Sequence, residues 1–136
     1  MSRPVKHSPA ADYEAAAELR ETLRRFQRRS EIVARSHGLT ARIYQLLLMI
    51  KTARRGDGRA GFVELEERLQ LGKSTITELV QRSEERGFVR RELDSERRAG
   101  ITVRLTPSGE RRLAKAVGEL GDERAALLKA LARLSA

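Results

Sequence analysis

Between Lys73 and Arg98 the chain gathers side chains able to bond phosphate and the edges of bases. Lys73, Ser74, Thr75 and Thr77 come first, Gln81 and Arg82 follow about one turn later, and Arg97 and Arg98 lie beyond a change of periodicity. A Ser or Thr hydroxyl both donates and accepts, a Gln amide can grip an adenine edge at two points, and an Arg offers a planar fork to guanine or phosphate. If residues 73–77 open a helix, its first backbone N–H groups add partial positive charge at the same place. Thr75-Ile76-Thr77-Glu78 also fits a capping box, which would occupy the Thr75 hydroxyl with backbone, whereas Ser74 as the cap would leave Thr75 free. Glu78 is repelled by phosphate unless it turns away or accepts from a cytosine amine.

These side chains need elements to hold them. Ile76, Leu79 and Val80 stand at helical spacing, giving a helix over about residues 73–86 whose opposite face carries the polar set. At Gly87 the period changes. Val89, Arg91 and Leu93 alternate, and Ile101, Val103 and Leu105 alternate against Thr102 and Arg104, as half-buried strands do. Asp94 through Gly100 is a charged tip between them. Upstream, Glu64–Leu71 reads as a helix with Leu65 and Leu69 inward, Gly72 makes the turn, and Phe62 and Val63 are expected to add a short strand to the hairpin. Helix, turn, helix and basic hairpin is the winged helix-turn-helix plan: the second helix enters a DNA major groove, and the wing at 94–100 meets the minor groove or backbone.

The flanks are helical. Residues 1–9, with two prolines, read as a mobile tail, and Pro9 or Asp12 opens a long helix to about Ser36. Its apolar stripe is Tyr13, Ala16, Leu19, Leu23, Phe26, Ser30 and Val33. Gly38 closes it and Thr40 caps the next helix, 41–53, which is apolar almost all round and should be the buried centre. Residues 54–61 form a loop by their glycines; the Arg55-Gly56-Asp57 tripeptide within it is given no functional weight. Thr106-Pro107 starts a helix bearing Leu113, Val117 and Leu120, and Asp122 is expected to cap a last helix bearing Leu127, Leu128, Leu131 and Leu134. Spare apolar stripes at both ends suggest a two-chain platform, so the expected organisation is a tail (1–9), an N-terminal dimerisation helix (10–37), a winged helix-turn-helix core (38–106) and C-terminal dimerisation helices (107–136). The fold class is mainly α with a small β-hairpin wing (α+β).

Twenty-eight Lys and Arg against nineteen Asp and Glu leave a formal charge of +9, which favours polyanions as partners. There is no cysteine, which removes disulfides, cysteine zinc sites and thiol redox sensing. No apolar run approaches the roughly 18 residues of a membrane span, and the N-terminus lacks a signal peptide's apolar segment, so a soluble cytoplasmic protein is expected. Only His7 and His37 could serve as histidine bases, neither sits in a nucleophile arrangement, and no phosphate-binding glycine loop occurs. No enzyme, cofactor or metal site is expected. The rival reading is a winged-helix module that binds an acidic protein partner through its basic surface.

The stretch from Glu64 to Leu113 resembles the winged-helix core of the MarR (multiple antibiotic resistance regulator) family. The resemblance is carried by Ser74-Thr75-Ile76-Thr77, Leu79-Val80, Glu85-Arg86-Gly87-Phe88-Val89, Asp94 through Arg98, and Leu105-Thr106-Pro107-Ser108-Gly109. Upstream, Gly38-Leu39-Thr40 leading into Tyr44-Gln45-Leu46-Leu47 is similar to the family's second-helix entry, and the likeness covers roughly residues 12–120. Ser83 departs from the family's usual apolar residue, implying looser packing there; Glu96 stands for the usual Asp in the wing, and the C-terminal region is shorter. The resemblance implies a homodimer on a pseudo-palindromic operator, acting as a repressor and released by a small-molecule effector where dimerisation and DNA-binding parts join. Candidate liners of that junction are Tyr13, Phe26, His37, Arg42 and Tyr44, each of which also has a plain core or helix-end reading.

Overall fold

A side-chain cap sets three of the six helix starts among the described residues. The computed structural model describes residues 8–94 and 100–135. Ser8 caps α1 (Pro9–Ser36), its hydroxyl accepting from the Ala11 N–H at 3.2 Å, and Pro9 sits where a missing N–H costs nothing. The expected tail thus loses Ser8 and Pro9 to the helix start, and its other residues lie outside the described ones. Gly38, at φ +77°, closes α1, and Thr40 caps α2 (Ala41–Lys51) by accepting from the Ile43 N–H at 3.1 Å. Thr106 does the same for α5 (Pro107–Glu119), accepting from the Gly109 N–H at 3.1 Å while its hydroxyl donates to the Gly87 carbonyl.

The strand expected at Phe62 and Val63 is instead the first turn of α3 (Phe62–Leu69). Ala60 makes the third-strand contact, exchanging backbone hydrogen bonds of 3.0 and 2.8 Å with Val103. Gly61 then turns into the helix, so Phe62 packs against the core while Val63 faces solvent. Next comes α4 (Lys73–Glu85). It closes on Gly87 at φ +78°, with Phe88 N–H bonding the Ser83 carbonyl at 2.9 Å and Gly87 N–H bonding that of Glu84 at 3.0 Å.

Strands β1 (Val89–Leu93) and β2 (Ile101–Leu105) pair antiparallel from Val89 opposite Leu105 to Leu93 opposite Ile101. The expected alternation fails at the outer end. Thr102 and Val103 are both fully buried, because β2 is covered on both faces at its middle, whereas Leu93 is 85% exposed and Ile101 also faces solvent. The hairpin projects past the core there, so the apolar cross-strand pair has nothing to pack against.

α2 is the centre, as its near-continuous apolar sequence requires: Ile43, Leu46, Leu47 and Ile50 are sealed from solvent, and the helix meets α1, α3, α4, α5 and β2. Each such side chain contributes about 1.5–3 kcal/mol through burial. The last helix, α6 (Gly121–Leu134), starts without the expected Asp122 cap; Leu120, which is buried, anchors the turn, and Asp122 lies in the first helical turn. α6 runs antiparallel to α1, tied by Arg133 to Glu18 at 2.6 Å and by Arg29 to Glu123 at 3.0 Å. No residue of α6 is buried, and Tyr13, Leu19, Ile32 and Leu128 on the two helices remain exposed.

The Arg29 hydrogen bond holds the Glu123 carboxyl below its ordinary range of about 4.3. A depressed carboxylate stabilises the fold above its unfolded value, and that contribution drains away as pH falls through the lower folded value. Thermal unfolding between pH 7 and pH 2.5 should therefore show a weaker acid dependence below about pH 4.3 in Glu123→Gln than in the parent chain; parallel curves would remove the pair from acid stability.

Candidate nucleic-acid interface

α3 and α4 are joined by Gln70-Leu71-Gly72. Gln70, not Gly72, takes the left-handed conformation, at φ 55° and ψ 44°, and its amide donates to the Glu67 carbonyl at 2.6 Å. Extended Gly72 is the N-cap of α4, so neither Ser74 nor Thr75 caps the helix, and the capping-box alternative falls away. Without a side-chain cap, the helix's first N–H groups keep their hydrogen-bonding capacity toward solvent or an anion.

α4 turns Ile76, Leu79, Val80 and Ser83 inward. Ser83 does not loosen the packing: it is fully buried and its hydroxyl donates to the Leu79 carbonyl at 2.8 Å, one turn back. On the opposite face Lys73, Ser74, Thr77, Glu78 and Gln81 line one shallow concavity of about 590 Å³. Thr77 donates to the Lys73 carbonyl at 2.9 Å, leaving the oxygen's lone pairs facing out. Arg82 pairs with Glu78 at 2.6 Å, and Gln81 reaches Glu85 at 3.4 Å. The Arg82–Glu78 pair is two-thirds exposed on both sides, so it is held weakly and costs little to open. Thr75 is half-buried beside this face. Lys73, Ser74, Thr77, Gln81 and Arg82 thus share a surface, with Thr75 at its margin.

Arg97 and Arg98 lie outside the described residues, but the root of their hairpin is well defined. Asp94 is 3% exposed; its N–H donates to the Gly100 carbonyl at 2.7 Å, and its carboxylate is bonded by Arg55. Arg55 also pairs with Asp57 at 2.6 Å, and the bond to Asp94, then that to Asp57, raise the guanidinium above its ordinary value. The Arg-Gly-Asp tripeptide, given no weight on sequence grounds, is therefore a clamp on the wing. A second ion-pair group, Arg59, Arg90 and Arg104 around Glu92, stiffens the hairpin behind it. No local sequence signal marks Arg55, because its partner stands 39 positions away.

The junction candidates are scattered. Tyr13 is exposed near the start of α1, and Phe26 is half-buried in a groove of about 650 Å³ between α1 and α6. His37 lies roughly 17 Å further along by helical rise, bonded through Nε2 to Glu119 Oε1 at 2.8 Å, and lines a different cleft. Arg42 is exposed on α2, whereas Tyr44 is buried; burial raises its phenol above the ordinary value, with Arg124 pulling it back. Among the described residues no cluster of three or more acidic or histidine side chains could hold a metal, and no helix is long and apolar enough to cross a membrane.

No protein-family model matches the chain, and no curated protein sequence does. Solved structures do. A MarR family protein from Bacillus stearothermophilus is 23% identical with a TM-score of 0.74, over 90% of this chain and 83% of that one. Wild-type MarR from E. coli in its apo form is 20% identical with a TM-score of 0.69, over 91% and 86%. A single-site mutant of E. coli MarR complexed with operator DNA is 19% identical with a TM-score of 0.70, again over 91% and 86%. The fold is that of these regulators.

Proposed function

We propose that this chain is a MarR-type, sequence-specific transcriptional regulator that binds double-stranded DNA as a homodimer. The observation that carries the reading is the polar face of α4: an uncapped helix N-terminus flanked by Lys73, Ser74 and Thr77, with Gln81 and Arg82 a turn beyond. Hydroxyls and N–H groups there suit phosphates, and the two longer side chains suit base edges in the major groove. Arg97 and Arg98, which follow in sequence the Asp94 held by Arg55, would reach the adjacent minor groove or backbone. The likeness to a neighbour solved in complex with operator DNA supports duplex DNA as the partner. The exposed apolar residues of α1 and α6 supply a face for a second copy, which would set two α4 helices one helical turn apart on a pseudo-palindrome, about 34–36 Å. Repression, release by a small effector and a cytoplasmic location complete the reading.

Salt tests it. Neutralising about 8 phosphates per dimer gives a slope near −7 in a plot of log affinity against log salt, measured by anisotropy on duplex DNA. A flat response would leave the protein-binding alternative. Within a binding regulator, Gln81→Ala should cost about 1–3 kcal/mol and relax preference at one base position, whereas Arg97→Ala or Arg98→Ala should weaken all sequences alike. A uniform loss from Gln81→Ala would move it from base reading to backbone contact.

A further inference from the structure

The cleft between the end of α1 and the first turns of α5 gathers three cations, none of them in an ion pair among the described residues. Its lining includes Arg111, Arg112 and Lys115 from α5, His37 and Ser36 from the close of α1, and Ser108; its volume is about 330 Å³. Among the described residues none of the three cations has a carboxylate within 4 Å, although most arginines elsewhere in the chain are paired. Glu119, one helical turn beyond Lys115 on α5, is bonded to His37 at 2.8 Å. Three like charges in a concave site, with two hydroxyls among them, repel one another until an anion enters. Apart from the His37 imidazole, which is engaged with Glu119, the lining is cationic, hydroxyl-bearing or glycine, so its chemistry suits a compact, multiply charged anion.

Arg112 connects this cleft to the DNA-reading helix. Its Nη1 donates to the His37 carbonyl at 2.9 Å, and its guanidinium lies 5.3 Å from the centre of the Phe88 ring. Phe88 is the residue whose N–H closes α4 on the Ser83 carbonyl. One side chain thus touches the end of α1, the end of α4 and the cleft wall.

We propose that this cleft is an anion-binding site for a small molecule bearing a phosphate group or comparable polyanion, and that occupancy is reported to α4 through Arg112. The Ser108 hydroxyl and up to three cations would hold the anion, the Ser36 hydroxyl being spent on the Val33 carbonyl at 2.6 Å; recruiting Arg112 would loosen its bond to His37 and its contact with Phe88, shifting α4 against α1. The regulatory half of this proposal rests on the reading of the chain as a DNA-binding regulator; the binding half does not.

Inorganic pyrophosphate is the probe, titrated into the full chain at constant ionic strength while thermal unfolding and the His37 ring resonances are followed. The parent chain should show saturable stabilisation and a His37 shift, with affinity at least tenfold weaker in Arg111→Gln/Lys115→Gln, both exposed positions. Equal responses in the two chains would overturn the site, and so would no saturable response in the parent. On duplex DNA without pyrophosphate, the double variant should keep the parent's affinity. A loss of affinity with a salt slope smaller by up to about four, two cations from each protomer, would make the cleft a contact to the DNA backbone and overturn the small-anion proposal. With pyrophosphate present, DNA affinity should change in the parent and stay constant in Arg112→Met; an equal change in both would overturn the coupling. Failure of the parent to bind any duplex would refute the regulator reading while the pyrophosphate titration still decides the site.

Discussion

Gly109→Ala should unfold about 3–10 °C below the parent chain, while Gly118→Ala in the same helix should unfold slightly above it. A Cβ on Gly109 would stand 2.1 Å from the Phe88 carbonyl oxygen and 3.0 Å from its carbon, so backbone must move. That carbonyl cannot retreat freely, because it accepts from the Thr106 N–H at 3.0 Å and Thr106 is itself bonded to Gly87. Relief has to come from shifting the start of α5 away from the end of α4, an overpacking cost of about 1–3 kcal/mol. At Gly118 a Cβ meets nothing within 4 Å, and the residue sits in the helix with ordinary φ. Ala there gains about 0.5–1 kcal/mol by restricting the unfolded chain and favouring helix. Calorimetry at one protein concentration separates the two, since a dimer's midpoint moves with concentration. Equal shifts for both substitutions would mean that helix propensity, not the Phe88 approach, governs Gly109.

The contrast between these glycines also marks where sequence reading stops. Thr106-Pro107 is legible as a helix start because a cap and a proline act within one turn, and Thr40, Gly38 and Gly87 are legible for the same reason. The polar face of α4 is legible because helical spacing alone decides which side chains share it. Gly109 needs the position of Phe88, Asp94 needs Arg55, and the third-strand pairing of Val103 needs Ala60; each partner is set by tertiary packing. Ser83 misleads for a related reason. A hydroxyl at an inward position reads as a packing defect until its bond to the Leu79 carbonyl makes it a satisfied one. Gln70 misleads because glycine is the expected left-handed residue, and Gly72 stands only two places away. The junction candidates have residue type in common but not place: Tyr13 and Phe26 stand on the 28-residue α1, His37 at its close, and Arg42 and Tyr44 on α2.

Arg68→Met should cost about 2–4 kcal/mol and weaken DNA binding beyond what the lost stability explains. Arg68 Nη1 donates to the Met49 and Thr52 carbonyls, both at 3.0 Å, and to Glu64 at 3.2 Å, while Nη2 donates to the Thr52 hydroxyl at 2.9 Å. One guanidinium from α3 therefore supplies donors to the C-terminal carbonyls of α2, which have no further helical N–H to receive. Glu64, 8% exposed, would keep only the Arg54 N–H at 2.9 Å. Removing Arg68 strands a buried carboxylate as well as two carbonyls, and the stranded charge is the larger cost. Glu64→Leu in the same chain removes that charge, so Arg68→Met/Glu64→Leu should be less destabilised than the sum of the single variants in denaturant titrations. Additive losses would show that the two side chains act independently. Arg68→Lys offers a point charge without the fork and should recover only part of the stability. The effect on DNA follows from position: α3 is held to the fixed centre of the fold through this hub, and α4 follows α3 across a three-residue turn. Slack at Arg68 would be carried to the polar face of α4 proposed to read bases, so DNA affinity per folded molecule should fall in Arg68→Met and largely return in Arg68→Lys; unchanged affinity in both would confine Arg68 to stability.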